Sequence, residues 1–107
     1  MNVFKVADSP RAMDSGGVVG RKVYARKELV LIHMDLAPGA LVAPHATLFD
    51  AQFFVLEGSG EIIIGHETLM VGPDVLVESP KGIPHGIRNT GVAPMRLLVL
   101  KTPNPDI

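Results

Sequence analysis

The feature that most constrains this chain is the spacing of its glycines and prolines. There are 11 glycines and 9 prolines in 107 residues. They fall in clusters at short intervals: Pro38-Gly39, Gly58-Ser59-Gly60, Gly65-His66, Gly72-Pro73-Asp74, Pro80-Lys81-Gly82 and Asn89-Thr90-Gly91. Each cluster is turn chemistry, because glycine admits positive φ and proline presets the first turn position. Between them lie ELVLIHMDL, AQFFVLEG, EIIIG, ETLMVG, VLVES and MRLLVLK. Short apolar segments separated by turns at intervals of roughly 8–12 residues predict an all-β sandwich or barrel of antiparallel strands. Gly65-His66 suits a two-residue hairpin whose first position takes positive φ. The window Thr47–Leu56 also fits a helical period, but its aromatic and β-branched content favours a strand from about Gln52 onward. Residues 8–20, with Pro10 and Gly16-Gly17, read as a loop or arm.

The length suits one domain, residues 1–107, with a barrel core over about 28–101. A hydrophobic fraction of 47% with 20% charged residues describes a folded globule rather than a disordered chain. Ten basic and eleven acidic residues, with no run of either sign, argue against a nucleic-acid or membrane-surface partner. The absence of cysteine excludes disulfides, thiolate metal sites and a cysteine nucleophile. The N-terminal segment has no signal-like apolar run, and no run is long enough to span a bilayer, so a cytoplasmic location is expected. The expected partners are a small molecule and a second copy of the chain.

Donor side chains cluster around two of the turns. His45 follows Pro38-Gly39, and Thr47, two residues on, shares its face if the stretch is extended. Gln52 breaks that parity, so a loop over residues 48–51 must intervene if it is to join them. His85 lies just beyond Pro80-x-Gly82, and Asn89, four residues further, shares its face. Asn89 is expected to bond a turn. His33 lies opposite Ile32, Met34 and Leu36 on its strand, which places it at the surface or an interface. By the same alternation Met34, and Phe54 and Leu56 on the face of Gln52, are expected to line a pocket. Phe53 and Val55 then need cover on the other face, which a homodimer would supply.

The run Gly39-(five)-His45-x-Thr47-(four)-Gln52-(five)-Gly58 resembles the first motif of the cupin superfamily, G-x5-H-x-H-x3,4-E. Gly72, followed by Pro80-x-Gly82-x2-His85-x3-Asn89, resembles the second, G-x5-7-P-x-G-x2-H-x3-N. The resemblance implies an antiparallel double-stranded β-helix, the cupin jelly-roll barrel. It also implies a divalent transition metal (Ni, Zn, Fe, Mn or Cu) held by His45, Gln52 and His85, with Thr47 at a position where the family carries a histidine. A glutamine carbonyl ligates more weakly than a carboxylate. A wholly neutral ligand set leaves the ion its full charge, which lowers affinity and raises the acidity of bound water.

Two functions follow from that resemblance. One is metal-dependent chemistry of oxygenase, isomerase or lyase type on a small anionic molecule. The other is a small-molecule-binding or sensing module with neither metal nor chemistry, favoured by the loss of two standard ligands. No acid–base pair appears at a telling spacing, so no catalytic residue is assigned.

Overall fold

The computed structural model describes residues 1–106. After a short 3-10 turn (Val6–Asp8) come ten strands: β1 (Arg11–Ser15), β2 (Val18–Arg26), β3 (Leu29–Leu36), β4 (Leu41–His45) and β5 (Asp50–Glu57), then β6 (Gly60–Ile64), β7 (Glu67–Val71), β8 (Leu76–Ser79), β9 (His85–Arg88) and β10 (Met95–Thr102). They form a six-stranded sheet in the order β1-β2-β3-β10-β5-β8 and a four-stranded sheet in the order β4-β9-β6-β7. Every pairing is antiparallel. This is the all-β, double-stranded β-helix architecture expected of the motifs. Among the described residues no helix is long and apolar enough to cross a membrane.

The core sits between the sheets and follows the two-residue period of strands. From the larger sheet Val30, Ile32 and Leu36 of β3, Ala51, Phe53 and Val55 of β5, and Met95, Leu97 and Val99 of β10 point inward and are buried. Ile62 of β6, Val71 of β7 and Ile87 of β9 close the core from the smaller sheet. Fully burying side chains of this kind contributes about 1.5–3 kcal/mol each against exposure.

Residues 8–20, expected as a loop or arm, instead contain β1, a Gly16-Gly17 turn with φ of 60° and 81°, and the start of β2. The segment Arg11–Ser15 is exposed throughout and pairs only with β2, so it carries no apolar alternation to announce it. The Gly65-His66 link does join β6 to β7 as a hairpin, with Gly65 at φ 59°.

Asn89, fully buried, ties the two sheets together. Its side-chain amide donates to the carbonyls of Leu36 and Ala93, both at 2.9 Å, and its oxygen accepts from the Gly91 N–H at 2.9 Å.

Candidate functional site

His45 ends β4 and His85 opens β9, and the two residues are partners in the ladder between those strands. Their rings meet edge to face with centroids 5.0 Å apart. Gly86 makes this approach possible. A Cβ there would meet the Val42 carbonyl oxygen at 2.6 Å and the Pro44 nitrogen at 2.9 Å, so only glycine lets β4 lie this close to β9.

His85 is buried, its Nδ1 lies 3.2 Å from the Ser79 hydroxyl, and its ring packs on Phe53 with centroids 5.3 Å apart. Burial holds its pKa below the ordinary imidazole value, and the charges of His45 and Lys101 add to the effect. A neutral imidazole is therefore favoured. His45 is exposed, with Nδ1 3.2 Å from the Ala43 carbonyl.

These histidines border a cavity of about 100 Å³ inside the barrel mouth. Its wall is mostly apolar: Val42, Phe49, Phe53, Ile87 and Val99, with Met13 reaching in from β1 and Met34 from β3. Lys101 also lines it, from an inward position on β10, and its ammonium lies 5.3 Å from the centre of the Phe49 ring. Sequence reasoning passed over Lys101, since a lysine near a strand end reads as solvated. Its parity with Met95, Leu97 and Val99 is the signal that points it inward.

The other expected site residues stand elsewhere. Gln52 lies on the outer face of β5, where its amide nitrogen donates to Glu78 at 2.9 Å and to Thr102 Oγ1 at 3.1 Å. It does not reach the histidines. Of the two spacings the first motif allows, the shorter lands on Ala51, which is inward and wholly buried. Phe54 and Leu56 share the outer face with Gln52 and do not line the cavity. Thr47 bonds its own loop: its hydroxyl donates to the Phe49 carbonyl at 3.0 Å. Of the expected pocket residues, Met34 alone borders the cavity.

The donor set therefore does not fit the metal site that the motifs imply. Among the described residues no group of three or more His, Cys, Asp or Glu comes together. Zinc sites in proteins are built from three or four protein ligands; here there are two imidazoles, no carboxylate and a lysine ammonium lining the same cavity.

A wider cleft of about 710 Å³ lies on the outer face of the larger sheet, bordered by Arg11, Arg21, His33, Asp35 and Arg96. His33 does face outward but is covered, only 4% exposed, and accepts a hydrogen bond from Arg96 Nε at 3.1 Å. Each arginine already has a partner: Arg11 with Asp14, Arg21 with the Ser9 carbonyl, Arg96 with Glu57. Among the described residues Arg21 has no acidic partner, but a backbone carbonyl engages its guanidinium.

The fold has many relatives. A structure of TT1209 from Thermus thermophilus superposes with a TM-score of 0.84 at 25% identity, covering 98% of this chain and all of that one. KdgF from Halomonas sp. gives 0.88 at 19% identity, covering 98% and 97%. A predicted oxalate decarboxylase from Thermotoga maritima gives 0.85 at 17% identity, covering 96% and 100%. At identities below 25% the likeness speaks for the fold alone. Among curated proteins no relative matches the sequence. The sequence pattern of the cupin domain, however, matches residues 32–101, well over half the chain and including both histidines, so this protein belongs to the cupin family.

Proposed function

We propose that the barrel cavity takes a small molecule directly, through the paired imidazoles and the apolar wall, without a resident metal. The observation that carries this reading is the composition of the cavity: two histidines and a lysine, with Ala51 where the motif would place a carboxylate. A neutral His85 exchanges hydrogen bonds with a ligand readily. No carboxylate joins the histidines to form an acid–base pair, which favours binding or sensing over chemistry. The cupin fold hosts many activities and does not choose among them.

The test is elemental analysis of protein purified without chelator or nickel resin, followed by zinc titration calorimetry. The expected result is no stoichiometric metal and no uptake of zinc at micromolar concentration. One metal per chain would overturn the reading and restore metal-dependent chemistry on a small anion as the better proposal.

The partner proposed for the outer face of the larger sheet is a second copy of the chain. Leu31, Phe54, Leu98 and Leu100 form a half-buried apolar row there, with Leu98 opposite Phe54 and Leu100 opposite Leu31. Leu76, paired with Phe54, is 59% exposed. A sheet apolar on both faces needs cover on both, and a two-fold contact supplies it with one surface. Light scattering at micromolar concentration should give the dimer mass, and Leu98→Asp should give the monomer. A monomeric wild-type chain would sink the proposal.

A further inference from the structure

Resting on the reading that the barrel cavity binds a small molecule without a metal, we propose that Lys101 is the fixed cation of the pocket and that the ligand is a short-chain monocarboxylate.

The argument starts in the ladder between β10 and β5. Lys101 pairs directly with Ala51. Both occupy inward positions, Lys101 following Met95, Leu97 and Val99, and Ala51 preceding Phe53 and Val55. At the inward position where the first motif would carry its carboxylate, this chain has a methyl group. The neighbouring strand has an ammonium beside it. The local charge is thereby changed from negative to positive, which disfavours a divalent cation and favours an anion.

The ammonium has no counter-ion among the described residues, since none of their ion pairs includes Lys101. Its observed partner is the face of the Phe49 ring, a cation–π contact that leaves its hydrogen-bond donors free for a ligand. Two acidic side chains of the neighbouring strands, Asp50 of β5 and Glu78 of β8, are engaged elsewhere: Asp50 accepts from the Lys81 N–H and Glu78 from Gln52. A ligand carboxylate would complete the pair with Lys101. His85, whose Nδ1 is engaged with Ser79, keeps Nε2 for the second carboxylate oxygen.

The rest of the cavity sets the remainder of the ligand. One fixed cation matches one carboxylate, and Val42, Phe49, Phe53 and Met34 match an aliphatic tail. The volume of about 100 Å³ is well below the roughly 300–1,000 Å³ of sites for drug-sized ligands, so the tail is only a few carbons long.

The experiment compares propionate with propionamide, its neutral isostere, by NMR titration of the wild-type protein, Lys101→Met and Lys101→Gln. The His45 and His85 ring protons report occupancy, and the amide spectrum reports the fold. The expected result is that wild type binds propionate at least tenfold more tightly than propionamide. Both variants should lose that preference while keeping the weaker binding of propionamide. Equal affinity of the two compounds in wild type would overturn the role of Lys101 and leave the metal-free pocket standing. A preference retained in either folded variant would do the same. If neither compound moves the histidine signals, the pocket reading falls and this inference falls with it.

Discussion

The Ser79 hydroxyl lies 3.2 Å from His85 Nδ1, and both residues are buried. The histidine of this pair helps set how the barrel responds to acid. The pKa of His85 is held down by burial first, then by the charges of His45 and Lys101. His33 is held down in the same direction by burial and by Arg96. In the unfolded chain both titrate near the ordinary value of about 6.5. As pH falls through that value the unfolded chain takes up protons that the folded chain refuses, so stability drops until the lower folded pKa is passed. Urea midpoints of the wild-type protein should therefore decrease between pH 7 and pH 5, and His85→Gln should flatten part of that slope. A variant slope parallel to wild type would show that His85 carries none of it.

Gly86 governs the distance between the two imidazoles. In Gly86→Ala the added methyl meets the backbone of Val42 and Pro44, which cannot move independently of β4. The strand must shift, carrying His45 away from His85, at a cost of about 1–3 kcal/mol for overpacking. The expected signs are a lower urea midpoint and loss of the proton–proton contact between the two rings in NMR. A variant that keeps that contact would show that β4 accommodates the methyl without moving.

Asn89 offers a test of stability away from the cavity. Asn89→Ala leaves the Leu36 and Ala93 carbonyls and the Gly91 N–H without their side-chain partners. A buried polar group left unpaired costs about 1–3 kcal/mol, so a loss of about 2–4 kcal/mol in chemical denaturation is expected. A loss below about 0.5 kcal/mol would mean that water replaces all three bonds.

How far the sequence foretold this structure depended on whether the signal was local. Turn chemistry is local, and the positive φ values of Gly39, Gly58, Gly65 and Gly82 fall within the clusters that marked the strand ends. The phase of β5 is not local. Phe53 and Val55 alternate with Phe54 and Leu56, so both faces of the strand are apolar and the period-two pattern holds in either phase. Pairing with β10 and β8 decides which set turns inward, and it sends Gln52 outward to Glu78. The same pairing brings Lys101 beside Ala51, from residues 50 positions apart in the chain. No spacing rule within one motif could reveal that neighbour. The N-terminal hairpin escaped for the opposite reason: its Gly-Gly turn was visible, but β1 is exposed along its length and left no apolar alternation to read.

That phase also decides which substitution could rebuild a metal site. Gln52→Glu adds a carboxylate on the outer face, beside Glu78 and Thr102, where it cannot meet the histidines. It should leave zinc affinity unchanged. Ala51→Glu places a carboxylate at an inward position, paired across β8 with Ser79, the neighbour of His85. In that variant alone the new carboxylate should pair with Lys101 rather than hold an ion. Combined with Lys101→Met it becomes a third protein ligand beside His45 and His85, the number that open zinc sites use. Titration calorimetry should then show stoichiometric zinc binding in the double variant, and none in Gln52→Glu or in Ala51→Glu alone. Zinc uptake by Gln52→Glu would mean that β5 can present its other face to the cavity. A double variant that folds but binds nothing would mean that the two histidines are too far from Ala51 to share an ion with it.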